Sequence, residues 1–452
     1  MYDLLVTNAR IVTEHEIMNG TIAVTAGKIV GILADAAGQK ATTVFDAQGR
    51  YVLPGLIDTH VHFNQPGRDD WEGFVTGSQS AAAGGITTVI DMPLNNDPTV
   101  TDAAILVAKQ HSVAASALID YGLWGGLISD NVATMVAQKA AGALAFKAFM
   151  SNSGISDFVA VTDGVLLDGL REAARLGMLV AVHAESEALT QHLTNQLQSV
   201  GRADRAAWLE ARPPYAELEA IQRALLLATA AHARLHVVHV SIAAGIDLVV
   251  AARRAGLQVT AETCPHYLTL DSDDFVAIGP AAKCAPPLRS RAEVELLWQR
   301  VLDGSVDLIG SDHSPCPTSA KRSGDNDIWQ AWGGISGVQL LLPLLLTEGV
   351  QQRGLSLPRL VQLTASNPAR LFGLDPTKGS LLPGSDADLT IVDLEHEWTV
   401  SAETLFARHK HSPYLGRKLT GAVVATFVRG QLIYGQQRFW VEPGYGCFQT
   451  AK

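Results

Sequence analysis

The stretch Val52-Leu-Pro-Gly-Leu-Ile-Asp-Thr-His-Val-His62 decides how the rest of the chain is read. An apolar run leads into two histidines spaced by one residue. In a β-strand, residues i and i+2 project from the same face, so His60 and His62 can offer two imidazoles to one ion. Neutral imidazole suits zinc, iron or manganese-type ions. The same pair can also line a polar cleft without metal, because short motifs often arise by chance.

Working outward, similar apolar runs recur, each followed by a longer Ala/Leu-rich stretch. Strands are read at Tyr51–His62, Ile86–Met92, Ala117–Gly126, Ala143–Phe149, Met178–His183, Leu235–Ser241, Val259–Cys264 and Val306–Asp312. Helix-like stretches such as Val161–Leu176, Tyr215–Ala231 and Ala243–Ala255 lie between them. Eight strand–helix units predict a (β/α)8 TIM barrel; an open doubly wound sheet is the alternative. The barrel is preferred because polar, metal-capable residues end many different strands. A closed barrel gathers those ends on one rim.

Both ends of the chain have another texture. Asp3–Val12 and Thr21–Ile32 alternate like strands, with Asn19-Gly20 and Ala26-Gly27 as turn signals. Asp388–Asp393, Gly421–Val428 and Gln431–Tyr434 read the same way. The expectation is one small β-sandwich domain built from residues 1–50 plus 378–452, around a barrel at 51–377. The segment Cys316–Asp327, rich in Ser, Lys, Arg and Gly, reads as a flexible loop and a candidate lid.

Other residues could complete a metal site. His183 ends Leu179-Val-Ala-Val-His183, and His239 ends Leu235-His-Val-Val-His239. Either can instead be a hydrogen-bonded core histidine. Alternation puts His236 and His239 on opposite faces, and His239 is the better candidate for the rim. Asp312 follows the last apolar strand, as a ligand and proton carrier or as a turn residue. Lys147 stands inside Ala143-Leu-Ala-Phe-Lys147-Ala-Phe-Met150. Lysine is almost never buried unpaired, and its usual escape is to snorkel to solvent. Alternatively, a desolvated, neutral amine can react with carbon dioxide. The resulting carbamate, an N6-carboxylysine, has two oxygens suited to bridging two ions. Four His, one Asp and this Lys suffice for two divalent ions.

Composition excludes several classes. The 452 residues are 47% hydrophobic and 17% charged, with 40 glycines, as in a globular α/β protein. A net charge of -11 without a basic stripe argues against nucleic acid as partner. No apolar stretch is long enough for a bilayer, and no signal-peptide pattern opens the chain. Four cysteines without a Cys-x-x-Cys pair fit a reducing cytoplasm.

Taken together, these residues resemble the cyclic amidohydrolase superfamily. The resemblance rests on Val52–His62, the Phe146-Lys147 strand, His183, His239, Gly310-Ser-Asp312-His, Ser366-Asn-Pro-Ala-Arg370 and Lys378-Gly-Ser-Leu-Leu-Pro-Gly-Ser-Asp-Ala-Asp388. It covers essentially the whole chain. It implies a TIM barrel, a binuclear centre bridged by carboxylated Lys147, zinc as the leading metal with iron, cobalt or manganese as alternatives, and a homotetramer. Within the superfamily the chain is similar to the bacterial allantoinase family. The carriers are Pro66-Gly67-Arg-Asp-Asp-Trp71, Asp91-Met-Pro-Leu-Asn95, Lys283-Cys-Ala-Pro-Pro-Leu-Arg289, Ser311-Asp-His-Ser-Pro-Cys-Pro317, Ala331-Trp-Gly-Gly-Ile335 and His411-Ser-Pro-Tyr-Leu-Gly416.

That resemblance implies hydrolysis of the hydantoin ring amide of allantoin, giving allantoate, by a metal-bridging hydroxide. His60 and His62 would hold one ion and His183 and His239 the other. Asp312, a ligand of the first, would move the proton. Asn95, Ser314 and backbone near Ala285 would contact substrate. Dihydroorotases carry an Arg where Asn64 stands, and a neutral amide cannot make its bidentate ion pair with a carboxylate. Hydantoinases and dihydropyrimidinases carry a Tyr shortly after the bridging Lys, where this chain has Met150-Ser151-Asn152. A hydantoinase or dihydropyrimidinase, and a non-catalytic scaffold of the same fold, are the alternatives.

Overall fold

The computed structural model describes residues 1–451. Eight parallel strands follow one another in chain order: β1 (Leu56–Val61), β2 (Ile86–Asp91), β3 (Asp120–Leu123), β4 (Phe146–Phe149), β5 (Leu179–His183), β6 (Arg234–Val237), β7 (Val259–Thr263) and β8 (Leu308–Ile309). β1 to β3 pair in sequence, as do β4 to β8. Two seams join these groups. Past β3 the chain runs on to Gly125–Gly126, which pairs in parallel with β4. At the other seam the His62 amide donates to the His313 carbonyl at 2.8 Å, beside a parallel bridge between Val61 and His313. The eight strands therefore close into a ring with all C-terminal ends on one rim, as the barrel reading expects.

Local chemistry explains the units. All five residues of β5 are buried, as in a strand covered on both faces. The helix Asp163–Leu176 is capped by Thr162, whose hydroxyl accepts from the Val165 amide. It buries Leu166, Gly169, Leu170 and Ala173 on one face and ends at Gly177, whose φ of 68° suits glycine.

Both chain ends build a single nine-stranded sheet rather than two separate ones. The joint is Tyr51–Pro54, which pairs in parallel with Arg10–Ile11 and antiparallel with Leu389–Val392. The sheet bends so that Phe45 packs edge-to-face on Phe427, with ring centroids 5.2 Å apart. Lys378 ties this sheet to the barrel. Its buried ammonium lies 2.5 Å from Asp120, which opens β3, and 2.8 Å from both Asp386 and Asp388. Those three carboxylates form an acidic cluster, but the lysine supplies its cation.

Three sequence expectations change. The run Tyr51–His62 is two strands, not one. Gly55 separates them, and its amide donates to the Asp388 carbonyl at 2.8 Å. A Cβ at Gly55 would collide with the Thr87 side chain, so the chain can change sheets there only as glycine. Asn19-Gly20 is no turn; it lies inside the strand Ile17–Thr25, while the reversal is made by Thr13–Glu16. Gly20 serves close packing instead, since a Cβ would press on the Leu33 carbonyl. Finally, Cys316–Asp327 is not an irregular loop. Thr318–Arg322 is helical, and buried Lys321 donates to the carbonyls of Trp332 and Gly334 at 2.8 and 2.5 Å. Among the described residues, no helix is long and apolar enough to cross a membrane.

Candidate metal centre

β1 carries His60 at its end and His62 just beyond, while Asp312 follows β8 across the closing seam. The structure brings these three together, with candidate ligand atoms all within 4.8 Å of one another. Asp312 Oδ1 lies 3.3 Å from His60 Nε2 and 3.5 Å from His62 Nε2. A second pair stands beside them: His183 Nδ1 is 3.0 Å from His239 Nε2. The groups adjoin, since the His60 and His239 rings are 5.4 Å apart.

Lys147 sits beneath, on β4, with no exposed surface. Its Nζ has no hydrogen-bond partner among the described residues. Burial lowers its pKa to about 8, against the pull of Asp312 and Glu262. Its charge in turn depresses His183 and His239, although burial is the larger cause for both. An unpartnered amine whose pKa burial lowers, set beside a His–His–Asp group and a His–His group, fits a carbamate bridge. The donor set of imidazoles and one carboxylate fits divalent transition ions. Burial likewise holds His62 below the ordinary range, keeping it ready to ligate. Asp312 stays ionised: burial would raise its pKa, but His60 and His62 hold it down to about 2.

Outer partners orient the rings. His60 Nδ1 meets Glu262 Oε1 at 2.7 Å, and Thr59 donates to the other oxygen of Glu262 at 2.9 Å. His183 Nε2 meets Glu185 Oε2 at 2.8 Å, and Arg212 is ion-paired to the same carboxylate. Phe149 stacks on His183 with centroids 4.6 Å apart. His60 is thus left to offer Nε2, and His183 to offer Nδ1. The sequence reading missed Glu262 and Glu185. The signal was available: Glu262 is an acid inside the apolar strand Val259–Thr263, the same anomaly that marks Lys147.

The alternation argument for His236 and His239 is corrected. β6 ends at Val237, and His239 has a left-handed φ of 40°, so strand alternation no longer applies there. In register, His236 lies beside Ala181 and Thr260. It bonds Thr260 Oγ1 at 2.8 Å and faces Glu262 at 3.8 Å. Both histidines face the interior, His236 one layer deeper. Asp312, Asn64 and Asn95 share the left-handed backbone, with φ of 45°, 64° and 72°. Such strain collects at sites where surrounding structure dictates the geometry.

A cleft opens above the cluster, lined by its four histidines and Asp312 together with Asn95, Ala285, Ser314 and Trp332. Asn95 Nδ2 lies 3.5 Å from Ser314 Oγ. Asn64 donates to the Pro315 carbonyl at 3.4 Å, and its side-chain oxygen has no partner among the described residues. A closed parallel ring with a His/Asp cluster and a buried lysine on its rim defines a class of metal-dependent hydrolases.

Comparison with known proteins narrows the class. The chain belongs to the amidohydrolase family, whose model matches residues 51–433. It is 48% identical to an allantoinase of Rubrobacter xylanophilus over 413 residues, 91% of this chain and 90% of that one. It is 41% identical to an L-hydantoinase of Paenarthrobacter aurescens, over 100% of this chain and 99% of that one. The solved L-hydantoinase (dihydropyrimidinase) from Arthrobacter aurescens superposes with a TM-score of 0.97 at 40% identity, covering 99% of each chain.

Proposed function

We propose that this chain hydrolyses the ring amide of allantoin to allantoate. The observation that carries the reading is the partner-free Lys147 amine beside Asp312, His183 and His239, under a cleft lined by these three with His60, His62, Asn95 and Ser314. The similarity to allantoinases supports the choice of substrate. The superposition on a hydantoinase gives weaker support to a second reading, action on other cyclic ureides.

His60, His62 and Asp312 would hold one divalent ion, and His183 with His239 the other, with Lys147, carboxylated by carbon dioxide, between them. Zinc is the first candidate. Such ions supply Lewis acidity and lower the pKa of water. The rest falls to the chain. Glu262 and Glu185 fix the rings of His60 and His183. Asn95 and Ser314 hydrogen-bond the ring and its ureido arm, with backbone near Ala285 closing the other side. The ionised Asp312 carboxylate accepts a proton from the attacking water and returns it to the leaving ring nitrogen. Asn64 offers an amide, so a substrate carboxylate gains no ion pair there.

In the same reading, residues 51–377 form the catalytic unit and 1–50 with 378–452 the accessory β unit, assembled as a homotetramer in the cytoplasm. Four cysteines free of disulfides support that compartment. The test is turnover of allantoin, hydantoin and dihydrouracil by protein of measured metal content. Allantoin should have the highest kcat/KM. A higher value for hydantoin or dihydrouracil would assign the second reading.

A further inference from the structure

His183 and His239, the pair assigned to the second ion, are aimed by different means. Glu185 fixes the His183 ring, whereas His239 Nδ1 is buried without a hydrogen-bond partner among the described residues. The backbone therefore aims the His239 ring. That backbone is left-handed at His239, so whatever anchors the turn behind it decides where the ring points. The Val240 amide donates to the Glu262 carbonyl at 2.7 Å. Ser241 is tied to Glu217 twice: its amide donates to Oε1 at 2.8 Å and its hydroxyl to Oε2.

Glu217 stands in the first turn of the helix Pro214–Ala231 and is buried. Its ion-pair partner Arg289 is buried too, with Nη2 2.9 Å from Glu217 Oε2. All three guanidinium nitrogens are engaged. Nε donates to the Ser241 hydroxyl oxygen at 2.9 Å, and Nη1 to the Arg212 carbonyl at 2.6 Å. Arg212 in turn pairs with Glu185, the carboxylate that orients His183. Burial would raise the Glu185 pKa, but Arg212 and His183, with a further contribution from Arg289, hold it down to about 2. The start of the Glu217 helix also reaches this segment directly, since the Ser186 amide donates to the Ala216 carbonyl at 2.9 Å. One buried ion pair thus reaches both histidines, through Ser241 to His239 and through Arg212 and Glu185 to His183. Among the described residues, no hydrogen bond or ion pair joins Glu217 or Arg289 to His60, His62 or Asp312.

We infer that Glu217 and Arg289 are positioning residues for the second ion, setting how His183 and His239 face each other without touching the ion themselves. The inference rests on the two-ion centre of the proposed function and goes beyond it by giving the two ions separate supports. A defect in this pair loosens the His183–His239 site and leaves the His60–His62–Asp312 site intact.

The test is Arg289→Lys, which keeps the charge but lacks the planar fork that joins Ser241, Glu217 and Arg212. Metal-loaded protein is titrated with a chelator and its metal content measured. Wild type should release two equivalents, and His239→Ala identifies the second-site equivalent as the one it lacks. Arg289→Lys should release that equivalent at about tenfold lower chelator concentration, with the other unchanged. Ser241→Ala removes only a hydroxyl and should shift the same equivalent by roughly fivefold, so the test stands even where the lysine variant does not fold. Equal weakening of both equivalents, or an unchanged second equivalent in Ser241→Ala and Arg289→Lys, overturns the inference. A wild type that holds fewer than two ions refutes the two-ion centre and this inference with it. A two-ion wild type whose variants behave like it refutes this inference alone.

Discussion

Glu262 Oε1, from β7, holds His60 Nδ1, on β1, at 2.7 Å across the closing seam of the barrel, with both side chains buried. Glu262 stays ionised because His60 and His236 outweigh the burial that would otherwise raise its pKa. The contact fixes which nitrogen of His60 faces Asp312. Gly310 crowds the same carboxylate, since a Cβ there would approach Glu262 and His60 together.

Glu262→Gln should therefore weaken metal retention by about 10–100-fold, the usual cost of losing an outer partner of a metal-binding histidine. Gly310→Ala should act in the same direction by displacing the carboxylate. Chelator titration with metal analysis checks both. Unchanged retention in both variants would remove Glu262 from the metal centre.

Lys147→Ala should lose bound metal and activity together. Short carboxylic acids should restore part of both, by supplying the missing bridging oxygens in the space the side chain leaves. Full activity in this variant without an additive would rule out a bridging role.

Burial places the Lys147 pKa near 8, so its reactive neutral form grows as pH rises toward that value. Reconstitution of metal-free protein at a fixed carbon dioxide pressure should accelerate about tenfold per pH unit below 8 and level off above it. Measuring recovered activity against time at several pH values tests this. A rate that falls as pH rises from 6.5 to 8 would contradict a carbamate.

Lys378→Met removes the cation shared by Asp120, Asp386 and Asp388; Arg429 still pairs with Asp120 and Lys28 with Asp386, but Asp388 is left buried without an ion-pair partner among the described residues. Burial lowers the lysine's pKa, but these three carboxylates more than reverse that and keep it charged. Removing one partner of such a cluster costs about 3–5 kcal/mol. Thermal unfolding should begin well below the wild-type temperature, while metal content per folded molecule stays the same. An unchanged unfolding temperature would deny Lys378 its role in joining sheet and barrel.

All eight barrel strands were legible in the sequence, because strands covered on both faces are short continuous apolar runs. His60 and His62 were legible for a similar reason: period-two spacing is a local property. Lys147 betrayed itself as a charge in an apolar strand. The structure had to decide what those patterns do not encode. The split at Gly55 depends on Thr87, a residue brought beside it only by the fold. His239 reaches the interior because the chain turns left-handed after β6, which no periodicity reveals. Glu262 and His60 are 202 residues apart in sequence and meet only when the barrel closes. Local pattern therefore determined the element types and most of the candidate ligands. Their grouping, the free nitrogen of each ring and the partner-free state of Lys147 follow from closure, because only the closed ring removes water from that rim and sets distant side chains against one another.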